Sequence, residues 1–292
     1  MSLEEAERLK AMIAARPQAR SIEERRAGFE AMAARFGRAE GVLAEPYEAG
    51  GLSGLVFRPE TSTDDLRVYH LHGGAFTVGS STSYSEFCGR LAKDLRATVY
   101  CPDYPLAPEH LFPKALEDCI NGFEALLSGD SGPWVLSGDS CGGNLATALC
   151  QNLMARSRPL PKAVYLISPY LDLTHSGRSV TERDARDVFV RAEGMAATAR
   201  CYLGDADPSD PRASPLFGAF QSFPSTLIQV GSEEVLFSDA ERLKERLDEV
   251  GVEAILEEWE GMIHVFPFFG PVLNEARRAT ATAATTLKSW IR

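Results

Sequence analysis

Trp134-Val135-Leu136-Ser137-Gly138-Asp139-Ser140-Cys141-Gly142-Gly143-Asn144 is the stretch on which the fold turns. Its first residues are apolar and β-prone, its last open a helical run to Ala155, and Gly138 to Gly142 spell Gly-x-Ser-x-Gly. Alone the pentad is weak: with Gly and Ser each near 7%, chance gives roughly 0.1 matches in a chain this long. The setting decides it. Strand, tight turn and helix together lift a serine hydroxyl to the top of an α/β sheet, as a nucleophile elbow requires. The glycines are steric, since a Cβ two residues either side of the serine would meet backbone in so sharp a turn.

Outward from the elbow, strands and helices alternate. Leu52–Arg58, Arg67–Leu71, Ala97–Cys101, Ala163–Ile167, Thr226–Val230 and Val252–Glu257 read as strands, Ala163–Ile167 and Thr226–Val230 being the compact β-branched runs of doubly covered parallel sheets. Pro113–Leu127, Cys141–Ala155, Ser238–Val250 and Asn274–Ile291 read as helices, so the fold class is α/β, a mostly parallel sheet with helices on both faces. Two segments stand outside this rhythm. Residues 1–40 carry helical stripes (Leu3, Ala6, Leu9, Met12 and Ile13, stopped by Pro17; then Ile22, Phe29, Met32, Ala33 and Phe36, closed by Gly37). Leu171 to about Pro215 is rich in Asp, Arg, Ser and Pro, with a helical patch at Ala192–Tyr202; an insertion this long is usually functional.

Composition excludes other classes. A 292-residue chain that is 45% hydrophobic and 24% charged is neither disordered nor fibrous. Its net charge of −11, from 30 basic and 41 acidic residues, disfavours nucleic-acid and anionic-membrane partners. The six cysteines lack Cys-x-x-Cys spacing and read as mostly buried free thiols of a reducing compartment. With no signal peptide and no membrane span expected, the default is cytoplasmic.

Ser140 needs a base, and only five histidines are available. In elbow architectures the order is serine, acid, histidine, which leaves His264, in the loop after the last strand. The acid should follow the strand at Thr226–Val230, where Glu233, Glu234 and Asp239 compete. Asp239 sits with Ser238 at a helix start, where both would cap. The residues alone divide the two glutamates evenly. His72-Gly73-Gly74-Ala75 ends a strand upstream, where small residues let amides face a cavity; with the Cys141 amide they would form an oxyanion hole.

Together these pieces resemble the hormone-sensitive lipase family of α/β-hydrolases, bacterial esterases among them. His72-Gly73-Gly74-Ala75 is similar to its His-Gly-Gly-Gly motif, Asp103-Tyr104-Pro105-Leu106-Ala107-Pro108-Glu109-His110 to its Asp-Tyr-x-Leu-Ala-Pro-Glu-His hallmark, and Gly138–Asn144 to Gly-Asp-Ser-Ala-Gly-Gly-Asn. The resemblance runs from about residue 45 to the C-terminus. It implies a catalytic domain over 46–292, with 1–45 and about 175–215 as a helical cap. It also implies Glu234 as the acid, where the family has aspartate, and a bracing rather than catalytic role for the Asp103 motif. Ala75 for the third glycine and Cys141 for alanine are further departures, and both keep an amide donor.

The implied activity is a serine carboxylesterase acting on short- to medium-chain acyl esters through an acyl-enzyme. Ser140 is its nucleophile, His264 its base and Glu234 its acid, with Gly73, Gly74, Ala75 and Cys141 at the oxyanion. No metal or organic cofactor is expected, and a homodimer stays open. A lactone or amide hydrolase on the same triad is the nearest alternative. A non-catalytic ligand receptor would need to have lost the base. The stripe Leu9, Met12, Ile13, Phe29, Met32 and Phe36 is expected to roof the acyl pocket rather than join the core.

Overall fold

The strand–helix alternation closes into one eight-stranded sheet in a computed structural model that describes residues 2–15, 19, 21–61, 65–129 and 132–291. The strands are β1 (Val42–Ala49), β2 (Leu52–Pro59), β3 (Arg67–Leu71), β4 (Thr98–Pro102), β5 (Trp134–Asp139), β6 (Ala163–Ile167), β7 (Ser225–Gly231) and β8 (Ala254–Trp259). Their order is β1-β2-β4-β3-β5-β6-β7-β8. The β1–β2 and β2–β4 pairs are antiparallel, and every pair from β4 to β8 is parallel. The helices are α1 (Ser2–Ala14), α2 (Ile22–Ala34), α3 (Ser85–Leu95), α4 (Lys114–Gly129), α5 (Cys141–Ala155), α6 (Ser179–Glu182), α7 (Ala192–Leu203), α8 (Phe237–Glu249) and α9 (Asn274–Ile291).

The two-residue strand period splits the core into two clusters, one on each face. Along β6, Val164 and Leu166 join one cluster, roofed by α4, α5 and α8; Ala163, Tyr165 and Ile167 join the other, roofed by α3 and α9. Each large side chain buried this way contributes about 1.5–3 kcal/mol relative to exposure. A strand covered on both faces therefore has no polar side to show in sequence.

Three elements escape the sequence reading, the single-turn helix α6 of the insertion among them. β1 is an edge strand carrying Glu45, Pro46 and Glu48, the composition that protects an edge from further pairing and hides its strand character. α3 follows the serine-rich run Ser80–Ser83, which reads as loop, although its Phe87, Cys88, Leu91, Ala92 and Leu95 form a buried stripe. The sheet begins at Val42, so the expected boundary between residues 45 and 46 falls inside β1.

The N-terminal helices also differ from expectation. Leu9, Ile13 and Met32 join the core cluster, while Met12 is exposed; Leu3's side chain and the Pro17 stop lie outside the described residues. Phe29 and Phe36 pack on Phe268, just after His264. The apolar stripe is thus largely core, docked beside the candidate site.

The chain reverses its winding direction at β3, whose neighbours are β4 on one side and β5 on the other. Ligands of open α/β sheets bind outside the carboxyl ends of strands at such a switch point. The turns after β3 and β5 carry His72–Ala75 and Ser140.

Candidate active site

Ser140 stands between β5 and α5 with φ 52° and ψ −121°. For a non-glycine residue that backbone is sparsely populated and costs of order 1–3 kcal/mol, which the surroundings must enforce. They do: Ser140 N–H donates to the Ile167 carbonyl (2.9 Å), and the Ser140 carbonyl accepts from Tyr170 N–H (3.0 Å). The flanking glycines are obligatory. A Cβ on Gly138 would lie 2.3 Å from the Gly142 carbonyl oxygen, and one on Gly142 only 1.9 Å from that of Leu71.

His264 follows β8 and projects back over the strand ends. Its Nε2 lies 3.0 Å from Ser140 Oγ, and its Nδ1 lies 2.8 Å from Glu234 Oε2. Burial alone would lower the His264 pKa; the hydrogen bond and charge of Glu234, with the charges of Asp187 and Asp139 behind them, raise it above the ordinary histidine value. Glu234 is fully buried. Its second oxygen, Oε1, accepts from Ser168 Oγ (2.7 Å) and Gly231 N–H (2.5 Å), and Ser168 Oγ in turn accepts from Val265 N–H (3.0 Å). One hydroxyl therefore ties Glu234 to the residue after His264.

Glu233 is only half-buried, and its side chain has no hydrogen-bond partner among the described residues; its amide alone is engaged, with the Met262 carbonyl (3.2 Å). The expectation that Asp239 and Ser238 cap α8 is corrected. Asp239 accepts the amides of Leu171 (2.7 Å) and Asp172 (3.0 Å), bracing the segment after β6, and burial pushes its carboxyl up to about 7. Ser238 exchanges hydrogen bonds with Ser179 of the insertion (2.9 Å each).

The turn after β3 is strained where it faces Ser140. Gly74 has φ 122°, and Ala75 and Phe76 have φ 56° and 60°. The expected role of Gly73 as an oxyanion donor is corrected, because its N–H is spent on Asp139 Oδ1 (2.9 Å) and Tyr84 Oη (3.0 Å). Asp139 also accepts from the Tyr84 hydroxyl (2.7 Å), so the residue before the serine anchors the turn opposite it. The amides of Gly74 and Cys141 have no hydrogen-bond partner among the described residues. Cys141 Sγ accepts from Phe76 N–H (3.1 Å), and burial pushes this thiol up to about 12, keeping it neutral.

Other side chains brace the same turn. Asp103 accepts from the amide (2.6 Å) and hydroxyl (3.0 Å) of Ser81, and Tyr104 Oη donates to the His72 carbonyl (2.6 Å). Arg26 of α2 reaches the carbonyls of Thr77 (2.9 Å) and Ala107 (3.0 Å) while pairing with Glu109. Ser168, Tyr84 and Asp187 carry no local sequence signal, since each acts through a distant partner, and Asp139 stands in the Gly-Asp-Ser motif without its anchoring role being legible there. Among the described residues, no group of three or more His, Cys, Asp or Glu side chains is placed to hold a metal ion, and no helix is long and apolar enough to cross a membrane.

Residues 68–268 match the family described by its alpha/beta hydrolase fold. An esterase of Acinetobacter venetianus is 36% identical over 246 residues, 83% of this chain and 81% of the relative. An acetyl-hydrolase of Streptomyces hygroscopicus is 35% identical over 270 residues, 92% and 90% of the two chains. The crystal structure of an esterase from the bacterial hormone-sensitive lipase family superposes with a TM-score of 0.95 at 32% identity, covering 99% of both chains. Sheet, elbow and family match define an α/β-hydrolase. Within that class the chain belongs to the hormone-sensitive lipase family, and it is a carboxylic ester hydrolase.

Proposed function

We propose that the enzyme cleaves short- to medium-chain acyl esters through an acyl-enzyme on Ser140. The observation that carries this reading is the unbroken chain from Ser140 Oγ to His264 Nε2 (3.0 Å) and from His264 Nδ1 to Glu234 Oε2 (2.8 Å). Ser140 Oγ attacks the ester carbonyl as its proton passes to Nε2. The amides of Gly74, Ala75 and Cys141 receive the developing oxyanion. Collapse expels the alcohol, which takes the proton from Nε2. Water then attacks the acyl-enzyme with His264 again as base, releasing the acid and restoring Ser140. Glu234 holds the imidazole in the tautomer whose Nε2 is free to accept, and stabilises the imidazolium.

Chain length is supported by relatives named acetyl-hydrolase and, in Pseudomonas putida, ethyl acetate hydrolase. The residues ahead of β1 and about 175–215 serve as the cap, a reading supported by the contacts of α2 with the turn after β3 and of the insertion with the acid loop. The unpaired cysteines support a reducing, cytoplasmic setting. Lactones and amides remain on the same triad's menu, whereas a receptor would not need a base tied at both ring nitrogens.

Ser140→Ala tests the mechanism. Hydrolysis of p-nitrophenyl butyrate should fall by about 10⁶ in kcat, while the thermal melt stays near wild type because alanine fits the elbow. Activity within tenfold of wild type would sink the proposal.

A further inference from the structure

The insertion between β6 and β7 grips the acid loop at one residue, Val235, directly after Glu234. Val235 N–H donates to Asp187 Oδ2 (3.0 Å), and the Val235 carbonyl accepts from Ser179 Oγ (2.5 Å). Both backbone polar groups of the residue beside the acid are therefore held by the insertion. Arg183 adds a hydrogen bond to the Ser232 carbonyl and places its guanidinium 3.5 Å over the Phe237 ring.

Asp187 is fully buried and uses both oxygens. Oδ1 accepts the amides of Phe189 (2.8 Å) and Val190 (2.9 Å), a local turn that needs no special explanation. The bond to Val235, across 48 residues, is different in kind. The turn also delivers Phe189, whose ring lies against the His264 imidazole at 5.8 Å between centroids. One carboxylate thus fixes the backbone behind the acid and the ring beside the base.

We propose that Asp187 is a positioning residue of the hydrolytic reaction, holding Glu234 and His264 in register from the insertion; this rests on the triad reading above. The groups facing His264 are Glu234 from the loop after β7, Asp187 from the insertion and Asp139 from the end of β5. Those facing Asp187 are His264 and Glu234, and Arg191 donates to its backbone carbonyl (3.3 Å) while pairing with Asp184. All three carboxylates around His264 favour its protonated form, so losing the Asp187 charge lowers the pH at which the imidazole becomes a base.

Asp187→Asn removes the charge and leaves one oxygen for donors that now occupy two. The variant is compared with the wild type and with Glu182→Gln, an exposed charge loss on the same segment. Initial rates on p-nitrophenyl butyrate are taken across pH, with a thermal melt of each protein. The expected result is a kcat at least tenfold down with KM within about threefold. The acid limb of kcat/KM should move to lower pH by roughly half a unit or more, with no change in Glu182→Gln. A folded Asp187→Asn with wild-type kcat and limb overturns the proposal.

If Asp187→Asn fails to fold, Asp187→Glu decides. It keeps the charge but displaces the acceptor, so kcat should fall while the limb stays; wild-type kcat would overturn the positioning role. Ser140→Ala is assayed in parallel. Should it retain activity, the triad reading itself has failed. If it is dead while Asp187→Asn behaves as wild type, only the positioning role has failed.

Discussion

Replacing Glu234 by glutamine is the sharpest test of the site's electrostatic design. Three donors converge on its carboxylate: His264 Nδ1 on Oε2 (2.8 Å), and Ser168 Oγ (2.7 Å) and Gly231 N–H (2.5 Å) on Oε1. A glutamine offers one acceptor oxygen and an NH₂ group that only donates. Because the Gly231 amide is fixed in the backbone, the oxygen stays there and the NH₂ turns toward His264. Nδ1 must then accept, the ring proton moves to Nε2, and Nε2 can no longer take the proton of Ser140. Trapping the wrong tautomer costs about 10⁴ in kcat, or about 5.4 kcal/mol at 1.36 kcal/mol per decade. Glu233→Gln changes a half-buried side chain without hydrogen-bond partners among the described residues and should stay within about twofold. Both variants are assayed on p-nitrophenyl butyrate, with the folded fraction read by circular dichroism. Should Glu233→Gln be the damaging change, or Glu234→Gln retain a tenth of wild-type kcat, the tautomer argument is wrong.

Gly142→Ala puts a Cβ 1.9 Å from the Leu71 carbonyl oxygen, so it should lower the melting temperature sharply or yield no soluble enzyme; a wild-type melt would refute the steric account of the elbow. In the proposed mechanism the free base form of His264 is the reactive one, and its pKa is raised, so kcat/KM should climb with pH through a limb centred above 6.5; a midpoint below that value contradicts the balance of charges described. Arg26→Ala frees the carbonyls of Thr77 and Ala107 from α2 and should shift the butyrate-to-octanoate ratio of kcat/KM several-fold, as about 0.8 kcal/mol per methylene allows. An unchanged ratio would separate α2 from substrate selection.

The sequence made legible whatever is governed by local sterics and period. Arg67–Leu71, Cys141–Ala155, Ala163–Ile167 and Asn274–Ile291 are read to the residue because apolar runs end abruptly at glycine, proline or polar clusters. Ser140 and His264 follow from chain order, and the structure brings Glu234, not Glu233, against His264. What the sequence hides is tertiary. Gly73 reads like Gly74, yet Asp139 claims its amide from 66 residues away. Asp239 reads as a helix cap, yet its carboxylate is drawn to Leu171 and Asp172. Ser168 ends a strand like any other serine, and only the approach of two loops makes it a junction between acid and base.

The two segments outside the sheet rhythm act on different halves of the site. From the N-terminal side, Arg26 holds Thr77 and Ala107, and Glu30 accepts from Ser80 (2.9 Å), so α2 bears on the turn that presents the Gly74 and Ala75 amides. From the other side, Asp187 and Ser179 hold Val235, so the insertion bears on the acid. The insertion also reaches the turn after β3 at Phe76, whose ring stacks on Tyr202 of α7 at 3.7 Å between centroids. Ser140 itself is pinned by β6 and α5 and depends on neither segment. A displacement of α2 should therefore disturb oxyanion binding alone, and one of the insertion should disturb proton transfer and, through Tyr202, the oxyanion turn as well, while Ser140 stays in place.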